Sequence, residues 1–355
     1  MQLIELHILQ SFPVTCLNRD DLNAPKTAFF GGALRARVSS QSWKRAMRMF
    51  ARDEQGTFFA GERSHHMIDP LTEAIKNKGI DSDTAQEWAE EILTTLGTKD
   101  GKSKEKFKTA VSLYLSPQEL DGIAQSIKDQ IDDKTKDDKK KINLKKAIQD
   151  AQPKDLADIA IFGRMVASDH SLQVEGAGLF SHALSTHEVA NEIDFFSAID
   201  DLQPQEVGGA GHIGTLEYSS ACYYRYIGLN LDLLWQDDHL GALDGEERTT
   251  TLNAFLRAAL MAVPNARKNS MFGQTVPSHV LGLARRGQPL SLVNAFEAPI
   301  RSRNGFAESS EKALTTHYES VRTTYGLTGY QASMPDKDLN SFCSELVEEA
   351  LKNGE

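Results

Sequence analysis

One stretch concentrates the residue types that grip an anion. From Lys26 to Arg52 the chain reads K-T-A-F-F-G-G-A-L-R-A-R-V-S-S-Q-S-W-K-R-A-M-R-M-F-A-R. Between Lys26 and Arg48 it has six cations (Lys26, Arg35, Arg37, Lys44, Arg45, Arg48) and no carboxylate, in a chain whose net charge is −11. The second half has helical period. Ser39 or Ser40 can cap that helix, because a side-chain oxygen accepts a backbone N–H of the first turn. At about 100° per residue, Trp43, Ala46, Met47 and Phe50 share one side, and Gln41, Lys44, Arg45, Arg48 and Arg52 share the other. The apolar side can dock on a core while the other presents cations and an amide. The helix start, with uncommitted N–H groups, attracts phosphate. A solvated helix face produces the same pattern. The concentration of charge beside Gly31-Gly32 in an acidic protein favours a polyanion grip.

Other chemistry is scattered. Asp20-Asp21 beside Arg19 could hold a metal near a phosphate, or simply fix a turn. His65-His66 fall in a polar region, and His182 and His187 are five apart, poor spacing for one helical face. A histidine pair cleaving RNA is one reading, ordinary surface histidines the other. Gly209–Gly214 satisfies G-x-G-x-x-G, but it precedes a strand pattern and opens no helix, which excludes a dinucleotide site. No P-loop, nucleophile elbow or H-E-x-x-H helix is present. Phe195-Phe196, inside a long acidic stretch, either anchors that stretch in a core or stacks on bases, worth roughly 1–3 kcal/mol per base. Met165 is either core or a soft surface for a base. Arg267-Lys268 form a second basic loop.

The bulk numbers bound the class. The 355 residues suffice for two domains or one with a large insertion. Residues 1–50 have seven Lys/Arg against three Asp/Glu, net +4, leaving −15 on the remainder. That distribution disfavours indiscriminate DNA binding and favours one focused anionic ligand. The three cysteines are far apart, which gives no disulfide framework and fits a reducing compartment. The amino terminus lacks the pattern of a signal peptide, so a cytoplasmic protein is expected.

The elements that must position these residues follow from periodicity. Leu3–Gln10 reads as a strand covered on both faces, and residues 11–32 as a long loop. Residues 56–157 read as a helical insertion. Within it, a helix follows Asp83 and stops near Gly97, and Ser116-Pro117-Gln118-Glu119 forms a capping box. Its Lys-rich stretch 134–146 reads as a linker or exposed helix end. Asp158–Met165 has strand character. Residues 166–214 are poor in regular signals. Leu216–Asp232 reads as a long strand, Glu246–Val263 as a helix ended by Pro264, and Pro277–Arg285 and Leu290–Phe296 as strands. Helices are expected at Ser309–Tyr325 and Asp338–Lys352. Without the insertion the order is strand, helix, strand, strand, helix, strand. This is the split βαβ, ferredoxin-like arrangement that RNA-recognition modules share.

Two long segments carry a family resemblance: N-R-D-D-L-N-A-P-K-T-A-F-F-G-G at 18–32 and R-V-S-S-Q-S-W-K-R-A-M-R at 37–48. With D-I-A-I-F-G-R-M, T-H-E-V-A-N-E-I-D-F-F-S-A-I-D-D-L, H-I-G-T-L-E-Y-S-S-A-C-Y-Y-R-Y and L-S-L-V-N-A-F-E, in family order, the chain closely resembles the CasC family. Members of that family are backbone subunits of the type I-E CRISPR surveillance complex Cascade. The resemblance implies an α+β fold: a modified RNA-recognition-motif palm (1–55 and 158–355), helical fingers (56–157) and a thumb loop (186–215). It implies polymerisation along a CRISPR guide RNA, held through phosphate and ribose so that its bases stay free to pair. The implied partners are the guide RNA, further copies of the chain, other Cascade subunits, the target DNA strand and a recruited helicase-nuclease. Guide-RNA contacts would fall on Arg19, Lys26, Arg37, Ser39, Ser40, Gln41, Lys44, Arg45, Arg48, Arg267 and Lys268. Met165, Phe195 and Phe196 would sit at a displaced nucleotide. No catalytic role, cofactor or metal is implied. The competing reading is a CRISPR-associated endoribonuclease on the same fold, using Asp20/Asp21 with a metal or a histidine.

Overall fold

Gln2–Thr15 form strand β1, buried on both faces through Gln10, as the dense apolar pattern requires. The computed structural model describes residues 1–97, 99–101, 107–132, 154–165, 173–198, 212–264, 266–267 and 269–352. The expected Lys-rich stretch, the tip of the thumb and Lys268 lie outside the described residues. Strands β2 (Thr27–Phe30) and β3 (Ala33–Val38) precede helix α1 (Ser40–Gln55), then come β4 (Glu62–Ser64), α2 (Ile68–Lys76), α3 (Ser82–Gly97), β5 (Leu113–Leu115), α4 (Pro117–Asp132) and α5 (Ala157–Phe162). Next are β6 (Gly178–Phe180), β7 (Ala183–Ser185), β8 (Glu192–Ala198), β9 (His212–Asn230), α6 (Leu231–Leu234) and α7 (Gly245–Met261). The chain ends with β10 (His279–Arg286), α8 (Ala307–Tyr325), β11 (Tyr330–Met334) and α9 (Leu339–Lys352).

The chain divides into two units. The first comprises 1–50, 179–229 and 255–355. Its sheet runs β11-β10-β1-β9-β7-β3-β2, with β6 and β8 also pairing to β9. β10 is antiparallel to β1, Ile8 lying opposite Val280 and Leu6 opposite Gly282, and β7 is antiparallel to both β9 and β3. Two apolar clusters cover this sheet. One gathers Leu9, Tyr224, Leu281, Phe296 and Leu314; the other gathers Phe12, Val38, Trp43, Ala183 and Tyr223. The second unit comprises 51–178 and 230–254. Its core is built on α2, α3 and α4, where Leu71, Ile75, Ala89, Ile92, Leu93, Ile123 and Ile127 are fully enclosed. The expected capping box is present: Glu119 N–H donates to Ser116 Oγ (3.1 Å) and Ser116 N–H to the Glu119 carboxylate (3.3 Å).

Three expectations are corrected. Residues 11–32 are not one loop: β1 continues to Thr15, and 27–38 form a hairpin. Its turn glycines, Gly31 and Gly32, have φ of 59° and 73°, the left-handed pair of a tight two-residue turn. Asp158–Met165 is not a strand. Its first half is the helix α5, in which Ala157, Ile159, Ala160 and Ile161 are all fully buried. A six-residue run whose single polar residue, Asp158, is itself buried shows no period to separate strand from helix. Leu290–Phe296 is likewise a loop closing in a 3-10 turn at Val293–Phe296. The region 166–214, which showed few regular signals, includes β6, β7 and β8.

Candidate nucleic-acid interface

The cationic stretch is assembled at one end of the first unit's sheet by β1, the β2–β3 hairpin, β7 and the start of α1. Asn18 is the junction. Its side-chain oxygen accepts the Ser39 N–H (3.0 Å), and its carbonyl accepts the Lys26 N–H (3.0 Å). The hairpin register places Thr27 opposite Ala36, so Lys26 lies across from Arg37, whose N–H donates to the Lys26 carbonyl (2.8 Å). Arg37 Nε also reaches the Thr27 carbonyl (3.3 Å). These backbone bonds fix where the two charges emerge.

Helix α1 starts as expected. Ser39 is its cap: Ser42 N–H donates to Ser39 Oγ (3.3 Å), and Trp43 N–H donates to the Ser39 carbonyl (3.2 Å). The β3–β7 register, Val38 opposite Ala183, brings His182 to the helix start, where its Nδ1 accepts the Ser40 N–H (2.9 Å). The first-turn N–H groups of Ser40 and Ser42 are therefore already committed. Trp43 and Met47 are buried as the periodicity demanded, and Gln41 and Arg45 are exposed. Lys44 is half-buried, its Nζ 4.9 Å from the centroid of the Phe180 ring, a cation–π placement. That burial pulls its ammonium below the usual lysine range. Arg48 is partly exposed on the same helix.

Arg35 does not belong to this surface. It is fully buried, donating to the carbonyls of Ser185 (2.8 Å), Phe296 (2.8 Å) and Glu297 (3.2 Å). A Cβ on Gly31 would stand 1.6 Å from the Glu297 carbonyl oxygen, so the hairpin turn lies directly against that backbone. The L-S-L-V-N-A-F-E segment thus braces the hairpin that carries Lys26 and Arg37.

At the end of β1, Cys16 brings two more expected residues together. Burial pushes its thiol up, opposed by the nearby charges of Arg267 and Arg19 and by a hydrogen bond from Arg267. The Ala266 N–H donates to the Cys16 carbonyl (3.2 Å), tying the Arg267 loop to this end of the sheet. Arg19 donates to Asn23 Oδ1 (2.9 Å). Asp20 Oδ1 accepts the N–H groups of Leu22 and Ala24, both at 2.9 Å, which is turn geometry. Among the described residues no cluster of three or more metal-ligating side chains occurs.

Phe195 and Phe196 lie on a hairpin arm, β8 against the start of β9, with Phe195 opposite Thr215 and Phe196 opposite Gly214. Consecutive strand residues point to opposite faces. Phe196 covers Gly214, where an added Cβ would meet its ring at 2.5 Å. Phe195 is 66 % exposed beside the 68 % exposed Ile193. The two rings therefore cannot act as one pair on a single face. Met165, in the second unit, is 82 % exposed, beyond Gly163.

Sequence reasoning gave no role to Asn18 and offered His182 and His187 only as part of an RNA-cleaving pair or as ordinary surface histidines. The structure makes His187 a core residue. Its ring stacks on Phe306 with centroids 3.6 Å apart, its Nε2 accepts the Cys222 N–H (3.2 Å) and its Nδ1 contacts the Glu188 carbonyl (2.9 Å). Burial lowers its basicity. His182 is exposed, and desolvation and the charges of Arg37 and Lys26 lower its basicity as well. Only pairing β3 with β7 shows that His182 adjoins Ser40, a relationship 142 residues apart in sequence.

A family model described as CT1975-like protein matches residues 4–350. No curated protein matches the chain. Among solved structures, a chain of a "CRISPR RNA-guided surveillance complex, pre-nicking" is similar at 28% identity and a TM-score of 0.81, covering 99% of each chain. A chain of a "CRISPR RNA-guided surveillance complex" is similar at 25% identity and a TM-score of 0.72, covering 98% of this chain and 99% of that one.

Proposed function

We propose that this chain, which belongs to the CT1975-like protein family, is the guide-RNA-binding backbone subunit of a type I-E CRISPR surveillance complex. The observation that carries the reading is the end-to-end likeness to surveillance-complex chains. The cationic end of the first unit's sheet supplies the chemistry. Lys26, Arg37, Arg45, Arg48, Arg19 and Arg267 offer charge, and Ser40 and Gln41 offer polar groups, while the buried Ser39 caps the helix that carries them. Such contacts reach phosphate and ribose and carry no sequence information, which is what a subunit holding any guide requires. The sheet order β10-β1-β9-β7, with α1 after β1 and α7 after β9, supports an RNA-recognition-type palm. In this reading residues 56–157 serve as fingers and residues 186–215 as a thumb.

In this reading several copies line one guide RNA. Its bases stay available to a target DNA strand, other subunits complete the complex, and cleavage of the target belongs to a recruited helicase-nuclease. The chain itself is not an enzyme, needs no metal and works in the cytoplasm. No helix among the described residues is long and apolar enough to cross a membrane. The test is to purify the chain with a guide RNA and follow both assembly and RNA integrity. Several copies should migrate with each guide, protect it at regular intervals and leave it uncut with or without Mg²⁺. RNA turnover abolished by Asp21→Ala would replace this reading with an endoribonuclease.

A further inference from the structure

His182 lies in the turn between β6 and β7, beside the start of α1 and close to Arg37 and Lys26. Its Nδ1 is occupied by the Ser40 N–H at 2.9 Å. An imidazole nitrogen that accepts a hydrogen bond carries no proton, so the ring proton is on Nε2. That N–H has no protein partner among the described residues, and the side chain is exposed. The charged groups close enough to act on the ring are Arg37, across the β3–β7 pairing, and Lys26, across the hairpin from Arg37. Both disfavour a second proton, which keeps Nδ1 available to the helix. The ring thus holds the start of α1 on one side and offers a neutral, oriented donor on the other. Nothing in its sequence context marked this role.

We propose that His182, its Nδ1 fixed by the Ser40 N–H, donates its Nε2–H to a backbone phosphate of the bound RNA between Lys26 and Arg37. This rests on the guide-RNA reading and adds to it a neutral donor. Lys26 and Arg37 supply attraction at a distance, while a donor of fixed direction selects where the phosphate oxygen sits. Hydrogen bonds to a charged group are the stronger kind. An uncharged donor releases no counterion, so its contribution leaves the salt dependence of binding unchanged.

Two substitutions separate the ring's two sides. His182→Asn keeps an acceptor where Nδ1 stood and removes the outward donor. His182→Gln extends an amide N–H toward the Nε2 position. Affinity of the full chain for a mixed-sequence single-stranded RNA is measured across a salt series, with the melting temperature as a control on folding. His182→Asn should bind about tenfold more weakly at every salt concentration, the loss of one hydrogen bond to a charged group. Its salt slope and melting temperature should be unchanged, and His182→Gln should recover most of the affinity. Wild-type affinity in His182→Asn overturns the proposal. So does equal loss in both variants with a lowered melting temperature, which would make the ring a structural cap only. A shallower salt slope in His182→Asn also overturns it, by showing a charged imidazolium. A wild-type chain that does not bind RNA, with Lys26→Ala and Arg37→Ala equally inert, instead defeats the guide-RNA reading itself.

Discussion

The Arg225 guanidinium carbon lies 3.8 Å from the centroid of the Trp43 ring, and both side chains are closed off from solvent. One residue belongs to β9 and the other to the buried side of α1. The arginine is held in place by Gln10 Oε1 (2.6 Å) and the Ala259 carbonyl (3.0 Å). Burial in this apolar setting pulls its guanidinium down to about 9. Among the described residues Arg225 Nε and Trp43 Nε1 have no hydrogen-bond partner, which leaves stacking as what joins the two side chains. The helix that carries Lys44, Arg45 and Arg48 is thus seated by a stacked cation as well as by apolar packing.

Trp43→Ala should therefore cost about 3–5 kcal/mol of stability, the range for emptying a large aromatic from a core. It also uncovers a buried charge. Arg225→Met should cost less, because it keeps most of the volume packed on Trp43 and gives up only the hydrogen bonds to Gln10 and the Ala259 carbonyl. Denaturant unfolding of the two variants checks the order. An Arg225→Met variant less stable than Trp43→Ala would show that the hydrogen bonds to Gln10 and Ala259 dominate.

This contact shows what the sequence could and could not disclose. Trp43 and Met47 were legible as the buried side of α1 because a helix long enough to repeat its period displays its faces. Ser39 was legible as a cap because the capping chemistry is local. Arg35 and Arg225 were not, since a buried arginine looks in sequence like any other cation, and Ser185, which binds Arg35, and Gln10, which binds Arg225, lie 150 and 215 residues away. The contact of His182 with Ser40 was hidden in the same way, by a separation of 142 residues. The α5 segment was misread because full burial erases periodicity. The β2–β3 hairpin was not legible because β2 is only four residues long, too short to show a period, and so fell within the loop expected over 11–32.

Gly31 should tolerate no side chain. Its φ of 59° already disfavours an L residue, and the added Cβ would collide with the Glu297 carbonyl. Gly31→Ala should destabilise the protein by more than about 1 kcal/mol and displace the hairpin that aims Lys26 and Arg37. Gly32 has φ of 73° but open space at its Cβ, so Gly32→Asn should be milder. Thermal melting of the two variants distinguishes collision from backbone preference.

Acid should destabilise the protein through His7. The ring is fully buried in the sheet, its Nδ1 3.0 Å from the Tyr224 hydroxyl. Burial, with a smaller contribution from Arg285, pulls it down to about 3, against roughly 6.5 in an unfolded chain. Between those values the unfolded state binds the extra proton, so stability falls as pH drops below about 6.5 and levels off only near the folded value. The slope is up to about 1.4 kcal/mol per pH unit for one proton. His7→Gln should flatten the stability–pH curve over that window while lowering stability at neutral pH. An unchanged slope would show that His7 keeps the same proton affinity on unfolding.

The arm carrying Phe195 and Phe196 should divide its roles by face. Phe196→Ala uncovers Gly214 and should loosen the β8–β9 pairing, seen as faster amide exchange in 192–198. Phe195→Ala removes an exposed ring and should leave stability within about 0.5 kcal/mol. If the arm meets a displaced nucleotide, Phe195→Ala alone should alter the spacing of protected positions along the guide. Equal folding defects in both variants would place both rings in packing.

Salt dependence should report how many cations reach the RNA. With Arg35 buried and Lys44 partly covered by Phe180, the other exposed or partly exposed cations proposed for the RNA are Arg19, Lys26, Arg37, Arg45, Arg48 and Arg267. Each phosphate contact on a single strand contributes ~0.7 to the slope of log affinity against log salt, so the whole set should give a slope of roughly −4.2. Lys26→Ala with Arg37→Ala should make it shallower by about 1.4 and weaken binding to every guide sequence alike. Arg35→Ala should instead lower the melting temperature, because its loss orphans the carbonyls of Ser185 and Phe296 and frees the hairpin turn. Any loss of affinity there would follow from displaced Lys26 and Arg37, and it should be recovered at temperatures well below the melting point. Affinity measured over both salt and temperature therefore separates the cations that touch phosphate from the one that holds them in place.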